Sequence, residues 1–130
     1  MSEASMSEED KEAPYLMALA TSTGLEVDSH FGRASRFDVY RVQQDDFSFV
    51  ESRVVQSACQ HPGHDDAVLQ QTVARLSDCA AVVCAQIGPG AQAVVEGAGI
   101  SCYELGGPIQ QVLRQVVSYR QVELLFAEFG

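Results

Sequence analysis

Five short runs of apolar or β-favouring residues predict five β-strands. Two runs, Tyr15–Thr21 and Ala80–Ala85, are apolar at nearly every position, which is typical of strands buried on both faces of a sheet. The runs Phe37–Val42 and Phe47–Val55 are rich in aromatic and β-branched residues and flank a polar turn, so they predict a hairpin. The run Ile100–Glu104 is the fifth predicted strand.

Three segments in the second half of the chain predict helices. The first is expected to be capped by Asp65 or Asp66 and to end near Ser77. The second, Ala91–Glu96, is short because glycines lie on both sides of it. The third opens near Pro108 and then repeats apolar residues every three or four positions, which indicates one buried helical face.

The order of these elements, β-β-β-α-β-α-β-α, predicts an α/β fold with helices on both faces of a mixed five-stranded sheet. The hairpin makes strand 2 antiparallel, and the right-handed crossover rule makes strands 4 and 5 parallel to strand 1. We expect the strand order 3-2-1-4-5. The carboxyl ends of strands 1, 3, 4 and 5 share one edge, and ligands of open α/β sheets usually bind at such an edge. We therefore expect four loops to meet there: 22–37, 57–66, 86–90 and 105–108.

The chain is predicted to have one folded domain between two less regular ends. Residues 1–13 are polar and acidic, so we expect a disordered tail. The folded domain is expected over residues 14–120, in a chain of 130 residues. Residues 121–130 form a C-terminal extension, for which a weak helix and an ordered tail are both open.

Charge and hydropathy exclude two classes of partner. The net charge is −10 and the chain has only eight Lys and Arg residues, whereas a nucleic-acid backbone requires a basic surface. No apolar run approaches the ~20 residues of a membrane helix. No secretory signal pattern opens the chain, so we expect a cytoplasmic protein with no membrane partner.

The loop Ser57–Asp66 is the main candidate for binding chemistry. It contains Cys59, His61 and His64 within six positions. Thiolate and imidazole are the ligands that iron–sulfur clusters, zinc and copper select. His30 from the first loop would be a fourth donor at the same edge. The alternative is a surface loop whose side chains bind nothing.

Two arginines in the first loop suggest that the ligand is an anion. Arg33 and Arg36 would supply positive charge to a chain that otherwise repels anions. The alternative is that both arginines are solvated, or that they pair with Asp28 and Asp38.

A glycine-rich turn and three further cysteines have simpler interpretations. The segment from Gly88 to Ala93 fits G-x-G-x-x-A, but only one strand follows, so a dinucleotide-binding unit would be incomplete. Gly88 and Gly90 more simply allow a tight turn with free amide donors. Free, packed thiols are expected for the remaining cysteines, Cys79, Cys84 and Cys102.

Several segments together carry a resemblance to a known family. They are Ala20-Thr21-Ser22, His30-Phe31-Gly32-Arg33-Ala34 with Phe37 and Tyr40, Leu76-Ser77-Asp78-Cys79-Ala80-Ala81-Val82, Ile87-Gly88-Pro89-Gly90 and Ala98-Gly99-Ile100. Over roughly Tyr15 to Val117, the chain resembles the dinitrogenase iron–molybdenum cofactor-binding family, which includes NifX, NafY and the C-terminal region of NifB.

The resemblance implies a fold and a function. The fold would be a ribonuclease-H-like three-layer α/β/α domain. The function would be non-enzymatic binding or carriage of an iron–sulfur or iron–molybdenum cofactor, or its precursor, among nitrogenase-type cofactor assembly proteins. The radical-SAM cysteine motif of NifB is absent, so we do not expect cluster synthesis. A carrier releases its cargo, so the isolated protein need hold no cofactor.

The resemblance also implies roles for particular residues. His30 matches the histidine of the family's His-Phe-Gly element, and Cys59 matches a cysteine before a glycine-bearing loop. Arg33 and Arg36 would offset the charge of an anionic cluster. Backbone N–H groups would come from Gly88 and Gly90. The roles of His61 and His64 rest on their chemistry alone.

Two other functions stay open from the residues. The Cys–His loop could hold a single zinc or nickel ion in a regulatory or protein-interaction module. Cys59 could also be a catalytic nucleophile paired with a histidine, although no third member or oxyanion hole is identifiable. The sequence leaves open whether the protein is a monomer or a homodimer.

Overall fold

Seven strands and three α-helices make up the described part of the chain, residues 13–56 and 65–129 of a computed structural model. The strands are β1 (Tyr15–Ala20), β2 (Glu26–Val27), β3 (Arg36–Gln43), β4 (Asp46–Val54), β5 (Ala81–Cys84), β6 (Ser101–Glu104) and β7 (Gly107–Pro108). The helices are α1 (Asp65–Arg75), α2 (Pro89–Gly97) and α3 (Ile109–Phe129), and a 3-10 turn covers Phe31–Arg33.

The main sheet is mixed and has the strand order β4-β3-β1-β5-β6. In the numbering of the predicted strands, this order reads 3-2-1-4-5. Strand β3 is antiparallel to both of its neighbours, whereas β1, β5 and β6 run parallel to one another. The segments 17–20 and 81–84 are completely buried, as expected for central strands with helices on both faces. The predicted α/β class with a five-stranded mixed sheet is confirmed.

Each face of the sheet has its own hydrophobic core. On one face, Phe37 and Val82 of the sheet pack with Val95 of α2 and with residues of α1. On the other face, Met17 and Leu113 belong to a second core under α3. The apolar face predicted for the first helix is confirmed, because Val73 of α1 and Leu76 just after its end are buried in one core and Leu69 packs against that core. None of the helices within residues 13–56 and 65–129 is long and apolar enough to cross a membrane.

Some helix boundaries differ from the predictions. Asp65 and Asp66 both lie inside α1, so neither is its cap. Helix α2 is longer than expected because it begins at Pro89, which needs no hydrogen bond for its nitrogen in the first turn. Helix α3 begins at Ile109, and it continues without a break to Phe129, so the helical alternative holds for the C-terminal segment that the structure describes.

A second, two-stranded sheet was not predicted. Strands β2 and β7 pair antiparallel, with Glu26 opposite Pro108 and Val27 opposite Gly107. The first segment was expected to be part of a loop, and Pro108 was expected to open a helix. Two-residue strands carry no periodicity, and this pairing joins segments some 80 positions apart, so sequence patterns do not reveal it.

Replacing Gly107 by alanine should destabilise the fold. The backbone φ of Gly107 is +126°, a conformation that side chains with a Cβ rarely adopt. We expect the free energy of unfolding to fall by about 1–3 kcal/mol, measured by urea denaturation. Gly97→Ala is the control, because a Cβ at that helical position meets no atom within 4 Å. Equal stability of the two variants would contradict the prediction.

Candidate functional site

The loops after β1 and β5 are joined at the carboxyl edge of the sheet. The Phe31 N–H donates to the Gln86 carbonyl at 2.8 Å, and the Ala85 N–H donates to the Ser29 carbonyl at 2.9 Å. A parallel β-bridge also pairs His30 with Gln86. His30 therefore lies beside the backbone that leads into Gly88 and α2.

His30 is exposed on a firmly anchored turn. The next residue, Phe31, is only 3% exposed. Its ring packs against the ring of Phe37, with 5.6 Å between the ring centroids. Within the described residues, no hydrogen bond or ion pair engages the imidazole of His30. A buried phenylalanine thus fixes the backbone while the histidine faces outward with its nitrogens available to a ligand.

The segment before His30 is held by a network around Asp28. The carboxylate of Asp28 accepts hydrogen bonds from the N–H and Oγ of Ser22, at 2.9 and 2.7 Å, and from the Oγ of Ser29 at 2.9 Å. Partial burial acts to raise the pKa of Asp28, but these hydrogen bonds outweigh it and lower the pKa. Thr21 Oγ1 accepts the Gly24 N–H at 2.9 Å. The loop is therefore ordered by its own polar residues.

The two candidate arginines have different environments. Arg33 is exposed at the end of the 3-10 turn. Arg36 forms a two-point ion pair with Asp38, with nitrogen–oxygen distances of 2.9 and 3.1 Å. Asp38 is only 2% exposed and also accepts the Ser52 hydroxyl at 2.6 Å. The pairing with Asp38 that the sequence left open is therefore present for Arg36, but Asp28 contacts serines.

The turn before α2 presents backbone rather than side chains. Gly88 caps α2, and a Cβ added at Gly88 or Gly90 would meet no atom within 4 Å. Local crowding therefore does not require either glycine, and the site above them is open. The turn is fixed by Glu104, whose Oε2 accepts the Ile87 N–H at 2.8 Å. N–H groups of the first helical turn have no partner within the helix and favour anions.

The Cys–His cluster lies outside the described residues. Cys59, His61 and His64 belong to the segment 57–64, whose two ends are described. Before the segment, the Val55 N–H donates to the Ser35 carbonyl at 2.9 Å; after it, α1 begins. A cavity of about 200 Å³ lies between these two ends. Its lining includes Val55, Gln71, Thr72 and Arg75.

The other three cysteines are free thiols that pack in the core beneath α1 and α2. Burial, with the nearby Asp78 carboxylate, raises the pKa of Cys79 to about 12. A hydrogen bond with Cys102, together with burial, raises the pKa of Cys84, and the same bond lowers that of the more exposed Cys102. Their predicted packing role is confirmed. Among the described residues, no group of three His, Cys, Asp or Glu side chains could hold a metal ion.

Two residues that fix the site were not predicted from the sequence. Gln86 contributes its backbone to the bridge with His30, and a backbone role leaves no sequence signal. Glu104 was predicted only as the last residue of the fifth strand, yet it ties the turn before α2 to β6. A carboxylate at the end of a predicted strand, next to a glycine turn, is the signal that could have identified it.

Comparison with known proteins gives related sequences and a similar fold. The chain is 33% identical over 118 residues to the FeMo cofactor biosynthesis protein NifB of Frankia alni, which covers 88% of this chain and 23% of NifB. It is 33% identical over 103 residues to NifX of Sinorhizobium fredii, which covers 75% of this chain and 64% of NifX. The chain thus spans about a quarter of NifB and less than two thirds of NifX.

A solved structure and a family model match most of the folded part. The orange protein of Desulfovibrio gigas, solved in its apo form, has a similar fold, with a TM-score of 0.62 and 21% identity. The match covers 80% of this chain and 88% of that protein. The family model described as dinitrogenase iron-molybdenum cofactor matches residues 13–119. The chain therefore belongs to the dinitrogenase iron–molybdenum cofactor family.

Proposed function

We propose that the protein binds an iron–sulfur cofactor, of the iron–molybdenum type or a precursor of it, and carries this cluster as cargo without transforming it. The observation that carries the proposal is the placement of His30. It is exposed on a turn anchored by the buried Phe31 and hydrogen-bonded beside the start of α2. The names of the relatives, which refer to FeMo cofactor biosynthesis, support this choice of cargo.

The proposed ligands are His30 together with Cys59, His61 and His64. Cys79 and Cys84 are poor candidates, because they are buried in the core and their pKa values are raised. A thiol must lose its proton to bind iron. The loop 57–64 and His30 follow strands whose carboxyl ends share one edge. A few ligands on an exposed edge also suit a carrier that must release its cargo.

The proposed site has few positive charges with which to neutralise an anionic cluster. Arg33 is exposed near His30 and is the main proposed cation. Arg36 is already paired with the carboxylate of Asp38, so it contributes less net charge. The N–H groups near Gly88 and Gly90, at the start of α2, would donate hydrogen bonds to the cluster and stabilise its remaining negative charge.

We further propose that the protein is not an enzyme and works in the cytoplasm with nitrogenase-type cofactor assembly proteins. The competing proposal is a single zinc or nickel ion in the same loop, and the experiment below separates the two.

The test is an anaerobic titration of the full chain with an isolated iron–sulfur cofactor precursor, followed by size-exclusion chromatography. The carrier proposal predicts a brown protein fraction with about one cluster per chain, measured by visible absorption and iron analysis. A colourless fraction would contradict it. In that case, stoichiometric binding of Zn²⁺ or Ni²⁺ by the same preparation would favour the single-ion module.

Arg33→Ala should weaken cluster binding modestly. We expect the dissociation constant to rise about two- to fivefold, because an exposed charge contact is worth roughly 0.5–1 kcal/mol. The effect should shrink as salt is added. Arg41→Ala is the matched control, since Arg41 is also exposed but lies on β3 beyond the middle of the strand, away from the carboxyl edge of the sheet. Equal weakening by the two substitutions would show that only overall charge matters.

A further inference from the structure

Strand β6 is an outer strand of the main sheet, and its outer edge carries backbone groups without a strand partner. The Ser101 N–H donates to the Ala80 carbonyl at 3.0 Å, and the Leu105 N–H donates to the Cys84 carbonyl at 2.9 Å. Because backbone groups alternate in direction along a strand, those of Cys102 and Glu104 point away from β5. No strand in residues 13–56 or 65–129 pairs with that side of β6.

A groove follows this open edge between the two helical layers. It encloses about 310 Å³. Its floor includes Cys102 and Tyr103 of β6, one wall includes Glu96 of α2, and the other wall includes Glu123 of α3. The groove is thus bounded by a strand edge and by one helix from each face of the sheet, which is a shape that admits an extended chain.

The two walls carry negative charge. Glu96 accepts a hydrogen bond from the Gln92 amide at 3.2 Å, and Glu123 accepts one from the Tyr103 hydroxyl at 2.9 Å. Both glutamates stay exposed. Arg120 of α3 is stacked over the ring of Tyr15 at 4.5 Å and also interacts with the Tyr103 hydroxyl, so this cation partly offsets the charge of Glu123. The whole chain has a net charge of −10.

We propose that the β6 edge binds an extended, basic peptide segment of a partner protein, which adds a sixth strand to the main sheet. The outward N–H and carbonyl groups of Cys102 and Glu104 would pair with the backbone of the segment. Successive side chains of a strand point to opposite faces. Two neighbouring Lys or Arg residues of the segment therefore reach Glu96 on one face and Glu123 on the other. This proposal does not depend on cluster binding.

Charge argues against a second copy of this chain as the occupant. Pairing two β6 edges about a two-fold axis would bring Glu96 and Glu123 of one copy close to the same residues of the other. Like charges that face each other across paired strands are destabilising, and each copy adds a net charge of −10. A basic segment has the opposite effect, because it gains from the same carboxylates.

The test uses a fluorescent eight-residue peptide of alternating threonine and valine with Lys-Arg at its centre. A second peptide with Glu-Glu at its centre is the control. Fluorescence anisotropy with the full chain should show binding of the basic peptide and none of the acidic one. Amide hydrogen exchange should slow at Cys102 and Glu104. Equal binding of both peptides, no binding of either, or protection confined to other amides would each overturn the proposal.

Variants separate the charge from the backbone pairing. Glu96→Lys with Glu123→Lys should weaken binding at least about tenfold. The control is Asp45→Lys in the turn after β3 with Asp46→Lys at the start of β4, which should have little effect despite the same change in net charge. Cys102→Pro removes the outward N–H without removing a bond to β5, so it should abolish binding. Cys102→Ala keeps that N–H and should retain binding.

Folding and self-association are checked on the same samples. Circular dichroism must show that Cys102→Pro is folded; if it is not, exchange at the Cys102 and Glu104 amides of the wild-type chain decides the matter. Without peptide, sedimentation should show no dimer that forms through the β6 edge. A dimer that Cys102→Pro dissolves would show a second copy on this edge and would overturn the proposal.

Discussion

Phe31→Ala is expected to lower the free energy of unfolding by about 3–5 kcal/mol, which is the usual range for removing a buried phenylalanine side chain. Phe31 is only 3% exposed and its ring packs against the ring of Phe37. His30 immediately precedes the turn that begins at Phe31. Loss of the Phe31 ring should therefore also release His30 from its position. Urea denaturation measures the first effect.

The matched control for this variant is Phe49→Ala. Phe49 lies on β4, is 54% exposed, and makes an edge-to-face contact with Tyr40 at 5.6 Å between ring centroids. Its removal should lower the free energy of unfolding by only about 0.5–1.5 kcal/mol, the value of an aromatic pair. If the two variants lost similar stability, Phe31 would not be the anchor that the packing indicates.

A functional readout distinguishes the anchor from general stability. In water without denaturant, folded Phe31→Ala should bind the cluster more weakly than folded Phe49→Ala, since only the first substitution loosens the turn at His30. Phe31→Leu should restore part of both properties, because it refills most of the volume. Unchanged cluster binding in folded Phe31→Ala would separate stability from the site.

The strands of the main sheet could be predicted because buried strands consist of apolar or β-favouring residues. The apolar runs that became β1 and β5 lie at the centre of the sheet, where both faces are covered. The hairpin that became β3 and β4 was visible because aromatic and β-branched residues flank a polar turn. The direction of the strands then followed from the handedness of the crossovers.

The details of the site could not be predicted, because they depend on contacts between distant segments. Nothing in the sequence of its strand marks Asp38 as buried, yet it is buried and paired with Arg36 and Ser52. Sequence analysis left that pairing open, since each arginine could have been solvated or paired with Asp28 or Asp38. The bridge of His30 with Gln86 uses backbone groups only, and every residue type carries those.

The second large effect is expected for Cys59→Ala combined with His30→Ala, which should weaken cluster binding at least about 100-fold. The estimate follows from metal sites in which loss of a supporting residue alone weakens binding roughly 10- to 100-fold; here two proposed direct donors are lost. The measurement is the anaerobic titration with visible absorption, iron analysis and size-exclusion chromatography.

The controls for that variant decide what its failure would mean. Cys79→Ala removes a thiol that is 4% exposed and whose pKa burial raises to about 12, so it should lose stability but keep the cluster. The two single variants should each weaken binding less than the double variant, because each retains one donor. If the folded double variant bound the cluster like the wild-type chain, the cargo would be held elsewhere. His30 would then be an exposed residue of a well-anchored turn, and the carboxyl edge would lose its assigned ligands.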